Sequence, residues 1–291
     1  MSALPWTRVL YWSVRRELWE HRAVLAAPVT IGAVALVGAL LSTFRLPAAL
    51  RSLEAGSAKD GDMLMASYSF MALAVLLTGL LVAVFYSLGA LQGERRDRSL
   101  LFWKSLPVSD RMTVLSKAAV PLVVTPVVTF AVIFAAQLLM LVWSTVVTIA
   151  NGISPAVLWK HADLTTMWVV LPYGLIVNAL WQAPVFAWFL LVSAWARRTP
   201  ILWALAPFAI PAILEGLAFR TSHIGGFIGE RLLGGFAQAF SVDGKAEAAI
   251  DNIGQVAPLR VLAQPDLWLG FLFAAVFLAA AIWLRRRREP N

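Results

Sequence analysis

Residues able to carry out catalysis are thinly scattered through this 291-residue chain. Its three histidines, His21, His161 and His223, fall in separate connecting segments. No apolar run holds two carboxylates or pairs His with Glu at metal-ligand spacing. The absence of cysteine removes thiolate nucleophiles, thiolate metal sites and disulfides together. A G-x-x-x-x-G-K-S/T phosphate loop is also missing, since Gly56-Ser57-Ala58-Lys59-Asp60-Gly61 lacks its spacing. In-chain catalysis and ATP hydrolysis are therefore not expected, and the chain is expected to bind no metal or cofactor of its own. The polar groups that remain of interest lie inside apolar runs, where burial is costly. Glu215 either lines a substrate path or sits near an interface, reaching water or Arg220. Asn178 and Gln182, four apart on one helical face, and Gln137 suit a translocation path or interhelical hydrogen bonds equally well.

The elements that carry these residues are membrane spans. Hydrophobic residues make up 60% of the chain, charged residues only 14%, and mean hydropathy is +0.77, far beyond a soluble domain. A span needs roughly 20 apolar residues to cross a hydrocarbon core of about 30 Å. Runs of that kind occur near 23–44, 67–91, 118–147, 166–194, 201–219 and 267–284, the third and fourth exceeding one bilayer thickness. The fold class expected is all-α, a polytopic membrane helical bundle of about six transmembrane helices forming one domain over 1–291. Pro28, Pro121, Pro126, Pro172, Pro184, Pro207 and Pro211 fall within the runs and favour kinks.

Orientation follows from Lys and Arg, which are retained on the cytoplasmic side. The N-terminal stretch, the 92–117 loop, the 195–200 loop and the Arg285 to Arg288 run carry 16 of the 24, so both ends are expected in the cytoplasm. That charge meets anionic lipid, and no nucleic-acid partner is needed to explain it. Residues 5–22 read as an elbow helix, with Arg8, Arg15 and Arg22 on one stripe beside Trp12 and Trp19, although Glu17, Glu20 and His21 blur its apolar face. Residues 45–66 read as an external loop without strong periodicity. In 220–266, Ile224, Phe227, Ile228, Leu232, Phe236 and Phe240 recur at helical spacing, and Gly225 and Gly229 offer a surface for another helix. The segment reads as one or two short helices lying in, or dipping into, the outer leaflet, or as a loop resting on the bundle.

The loop after the second run differs from a simple topology signal. Gly93-Glu94-Arg95-Arg96-Asp97-Arg98 opens it with mixed charge, and the apolar Leu100-Leu101-Phe102-Trp103 follows on the cytoplasmic side. Leu106-Pro107 stops that stretch, and Ser109 or Asp110 is placed to cap the next helix. An apolar patch facing cytosol wants a partner. These residues resemble the permease subunits of ABC exporters of the second class, in which a similar loop lies between the second and third spans. Glu94, Leu100, Ser105, Leu106, Pro107, Val108, Ser109 and Lys117 match the pattern, whereas Arg98 and Leu101 stand where Gly and Glu are usual.

The resemblance implies that 94–107 is a coupling helix seated on a separate ATPase subunit, with Glu94, Arg95, Arg96, Leu100, Leu101, Phe102, Leu106 and Pro107 making the contact. It implies two ATPase copies holding ATP and Mg, a second permease chain, either another copy in a homodimer or a sister permease, a re-entrant hairpin near 220–266, and a multi-pass location in a bacterial cytoplasmic membrane. Apolar lateral surfaces would suit a hydrophobic or amphiphilic substrate. An ion-coupled secondary transporter is the principal rival and should show internal repeats and midplane ion ligands, while a membrane-embedded lipid-modifying enzyme would need a catalytic cluster.

Overall fold

A computed structural model describes residues 5–54, 58–96, 109–161, 164–242, 245–246 and 256–287. Among them, six helical segments are long and apolar enough to cross a membrane: Ala23–Ser52, Ala66–Glu94, Asp110–Ala150, Met167–Trp195, Pro200–Phe219 and Pro265–Arg287. The chain is thus an all-α polytopic bundle, and the β structure among the described residues is one two-residue antiparallel strand pair, Ser241–Val242 with Lys245–Ala246.

Helix α1 (Trp6–Glu20) is amphipathic in an unusual sense. Its inward face runs through Val9, Leu10, Ser13, Val14, Glu17 and Leu18 at three-to-four spacing, and Glu17 is completely buried. The opposite face leaves Trp12 and Trp19 exposed, with the Arg15 guanidinium stacked between their rings at 5.0 and 5.4 Å. A short turn at His21 leads to α2 (Ala23–Ser42), the first span.

Instead of the loop expected over 45–66, α2 continues through a 3-10 turn (Thr43–Arg45) into α3 (Leu46–Glu54), and α4 (Ala58–Arg96) begins four residues later. Tertiary packing explains the difference. Leu46 and Leu50, four apart, bury against Tyr68, Met140 and Leu158, so the segment gains a partner surface that its mixed charges hide.

The third crossing is α5 (Asp110–Ala119) and α6 (Thr125–Ala150), joined by a single π turn at Val120–Val124. Pro121 and Pro126 lie at this junction, where missing backbone donors favour a widened turn over a regular one. A short α7 (Pro155–His161) precedes α8 (Leu164–Trp195), the most enclosed span, which carries Pro172 and Pro184 internally. Helix α9 (Pro200–Phe219) is set between two residues in left-handed backbone conformation, Thr199 and Arg220, which make the tight reversals at its ends. Most of its surface faces outward, as lipid-facing helices require.

Segment 220–266 contains α10 (His223–Leu233), α11 (Gly235–Ala239) and α12 (Pro258–Leu262) before the last span, α13 (Pro265–Arg287). Helix α10 folds back against α9, and α11 packs on α8. The close approach occurs at positions other than those expected. Gly225 and Gly229 face open space, whereas a Cβ on Gly235 would lie 2.4 Å from Asn178 Oδ1. Gly174 on α8 likewise makes room for the Phe236 ring.

Candidate functional site

The inward face of α1 directs Glu17 into the end of the bundle where α4 stops, α5 starts and α13 finishes. Lys117, fully buried on α5, donates from Nζ to both Glu17 oxygens at 3.0 and 2.9 Å, and approaches Glu94 Oε1 at 3.1 Å. The Tyr86 hydroxyl donates to Glu17 Oε2 at 2.9 Å, while Arg16 Nη2 lies 3.0 Å from Glu17 Oε1 and 3.7 Å from Glu94 Oε1. Arg285, near the end of α13, pairs through Nη1 with Glu94 Oε2 and through Nε with Asp110 Oδ1 at 3.0 Å. Arg16 Nε also pairs with Glu20 at 3.3 Å, so the buried Glu17 and Glu94 and the flanking Asp110 and Glu20 are matched by Lys117, Arg16 and Arg285. Each carboxylate has a cationic partner, and that pairing is what allows charges to be removed from water at tolerable cost.

Local sequence explains the placement. Ser109 caps α5 by accepting from Met112 N at 3.3 Å, which leaves the Asp110 carboxylate free of that duty and available to Arg285. Asp110 also complements the positive end of the α5 dipole. Ser193 on α8 accepts from the amides of Leu91 and Gln92 at 3.0 and 3.1 Å, fixing the final turns of α4 just before Glu94. The apolar floor consists of Val24, Tyr86, Leu91, Val114, Val120 and Leu190.

Of the coupling residues expected from sequence, Glu94 is therefore in the network. Arg95 and Arg96 close α4, their side chains outside the described structure; Leu100, Leu101, Phe102, Leu106 and Pro107 lie outside the described residues altogether. Both flanks of that stretch, Glu94 and Asp110, are gripped by the one side chain of Arg285. Glu17 and Arg285 were not legible as site residues, while Lys117 was named only as a match to the loop pattern and Asp110 only as a candidate cap. The visible signal for Glu17 was an acid among the apolar neighbours of α1.

The candidate path residues lie elsewhere and do not come together with this cluster. Glu215 turns toward the start of α10, accepting from Thr221 Oγ1 at 2.7 Å and from the amides of His223 and Ile224 at 2.8 Å each, with His223 Nδ1 also at 2.8 Å. It caps a helix across a tight turn. Gln182 donates to the Leu232 carbonyl, Asn178 abuts Gly235, and Gln137 links to Met167 and Trp168 between α6 and α8.

Glu17, Glu20 and His21 bring three ligand-type atoms within 4.8 Å of one another. Glu17 is already paired with Lys117 at 2.9 Å and Glu20 with Arg16 at 3.3 Å, so both carboxylates of the group have cationic partners. No family model, curated protein or solved structure matches the chain.

Proposed function

We propose that this membrane protein is the permease subunit of an ATP-driven ABC exporter, with 94–107 as its docking segment for separate ATPase subunits. The observation that carries the reading is the double grip of Arg285 on Glu94 and Asp110, which anchors both flanks of the segment to the last span. ATP-driven closure of two partner ATPases, each holding ATP and Mg, would press on this segment. The ion-pair cluster would pass the movement to α13 through Arg285, and to α5 and α1 through Lys117 and Glu17. The π turn at Pro121 gives the third crossing a place to bend, and two permease copies rocking against each other would open a path for a hydrophobic or amphiphilic substrate. Both termini and the docking segment are then cytoplasmic, in a bacterial inner membrane.

An ion-coupled transporter would need free polar ligands near mid-membrane. Gln137 and Gln182 are engaged in helix-to-helix hydrogen bonds, which favours the exporter. The test is reconstitution with a co-purifying ATPase. Leu101→Ala combined with Phe102→Ala, which leaves every charge of the cluster in place, is expected to abolish substrate-stimulated ATP hydrolysis while leaving the bundle folded. Unchanged stimulation, or the absence of any co-purifying ATPase, refutes the assignment.

A further inference from the structure

At the end of the bundle opposite the ion-pair cluster, α8, α9, α10 and α13 surround a cavity of about 490 Å³, within the range typical of ligand sites. Its walls are apolar, with Trp188, Phe208, Phe227 and Phe273 among them, and its charged lining residues are Arg231 and Asp266. Along α13 the lining runs from Asp266 to Phe277. At 1.5 Å rise per residue that is a depth of about 17 Å, close to half of a hydrocarbon core of about 30 Å. The cavity thus has the depth of one leaflet and the polarity of an acyl chain, with its charges gathered at one end.

Those charges are specific. The Arg231 guanidinium lies 4.1 Å from the centre of the Trp181 ring, and Nη2 donates to the Asp266 carbonyl at 2.6 Å. Nη1 is buried and has no hydrogen-bond partner among the described residues. Gly270 leaves the space this group occupies, since a Cβ there would stand 3.3 Å from both terminal nitrogens. A buried charged donor without an acceptor is costly, so the site lacks an acceptor. Asp266 lines the cavity with Arg231, and Glu230 precedes Arg231 on α10. Two anions beside one cation oppose a head group that is only negative, and suit one that presents phosphate and ammonium together.

We propose that the cavity binds one acyl chain of a zwitterionic phospholipid, with a phosphate oxygen accepting from Arg231 Nη1 and the ammonium facing Asp266 and Glu230. This site is independent of the exporter reading, because it needs neither an ATPase nor transport. The full chain is reconstituted in vesicles of phosphatidylethanolamine and phosphatidylglycerol with a trace of phosphatidylethanolamine bearing a diazirine in its acyl tail. After irradiation, adducts mapped by mass spectrometry are expected to concentrate on Trp188, Phe208 and Phe273. On the unaltered chain, excess phosphatidylethanolamine should suppress these adducts, and phosphatidylglycerol should not. Ala209→Trp, which fills the cavity, and Arg231→Gln should each remove most of them, with partial recovery in Arg231→Lys. Adducts no denser there than at outward-facing Leu202 and Leu217, or equal competition by phosphatidylglycerol, would overturn the proposal.

Discussion

Lys117 is fully buried with its ammonium between Glu17 and Glu94, and an uncharged side chain put in its place would strand both acids. Removing one partner of a buried ion pair typically costs about 3–5 kcal/mol, because the remaining charge is uncompensated. Lys117→Met is expected to lower stability by that order in thermal unfolding in detergent. The double variant Glu17→Gln with Lys117→Met should be more stable than the single, since one of the stranded carboxylates is gone. Simple addition of the two single losses would show that the pair is not coupled. The partners are 100 positions apart, and that distance is why sequence did not reveal them. A helical face can be recognised from spacing within α1, but nothing local says what an acid on that face meets. Arg285 was hidden differently, since within a run of four arginines it counts only as a topology charge. Glu94 stood out because it borders an apolar stretch where none was required.

Between elements, the fold depends on two reciprocal close approaches, Gly235 to Asn178 and Gly174 to Phe236. Gly235→Val forces side-chain or backbone shifts at the α8 and α11 contact, and overpacking of this kind costs about 1–3 kcal/mol. Thermal unfolding should register that loss and its partial relief by Asn178→Ala. Gly225→Ala is the counter-example. Its Cβ enters open space within α10, so a gain of roughly 0.5–1 kcal/mol is expected from helix propensity. The helical character of α10 and α11 was legible from the recurrence of Ile224, Phe227, Ile228, Leu232 and Phe236. Which glycine would face a neighbour was not, because glycine spacing marks permissive positions without saying which one another helix uses. The same limit applied to α3. Leu46 and Leu50 form too short a pattern to announce a helix until Tyr68 and Leu158 are placed beside them.

For the whole molecule, hydropathy made the six long apolar segments legible, and only their ends changed. Both α1 and the end of α13 meet at the ion-pair cluster, so the two ends of the described chain lie on one side of the bundle. Which side that is can be measured directly, because the chain has no native cysteine to confuse labelling. Ser154→Cys, exposed at the far end between α6 and α7, should react with an impermeant maleimide on intact cells. Arg198→Cys, exposed between α8 and α9, should react only after permeabilisation. The reverse pattern would invert the topology and place 94–107 out of reach of any cytoplasmic ATPase. Helix α13 connects the two ends of the molecule. It packs chiefly along α8, with Ala274 set against Ala183 and Ala187 near its middle. Such small side chains make a smooth fulcrum. Its 23 residues make a lever of roughly 35 Å, with Arg285 on one arm and the Asp266 carbonyl that holds Arg231 on the other. A sideways push on the arm at Glu94 and Asp110 would swing the opposite arm the other way, and the mouth of the lipid-sized cavity would move with it.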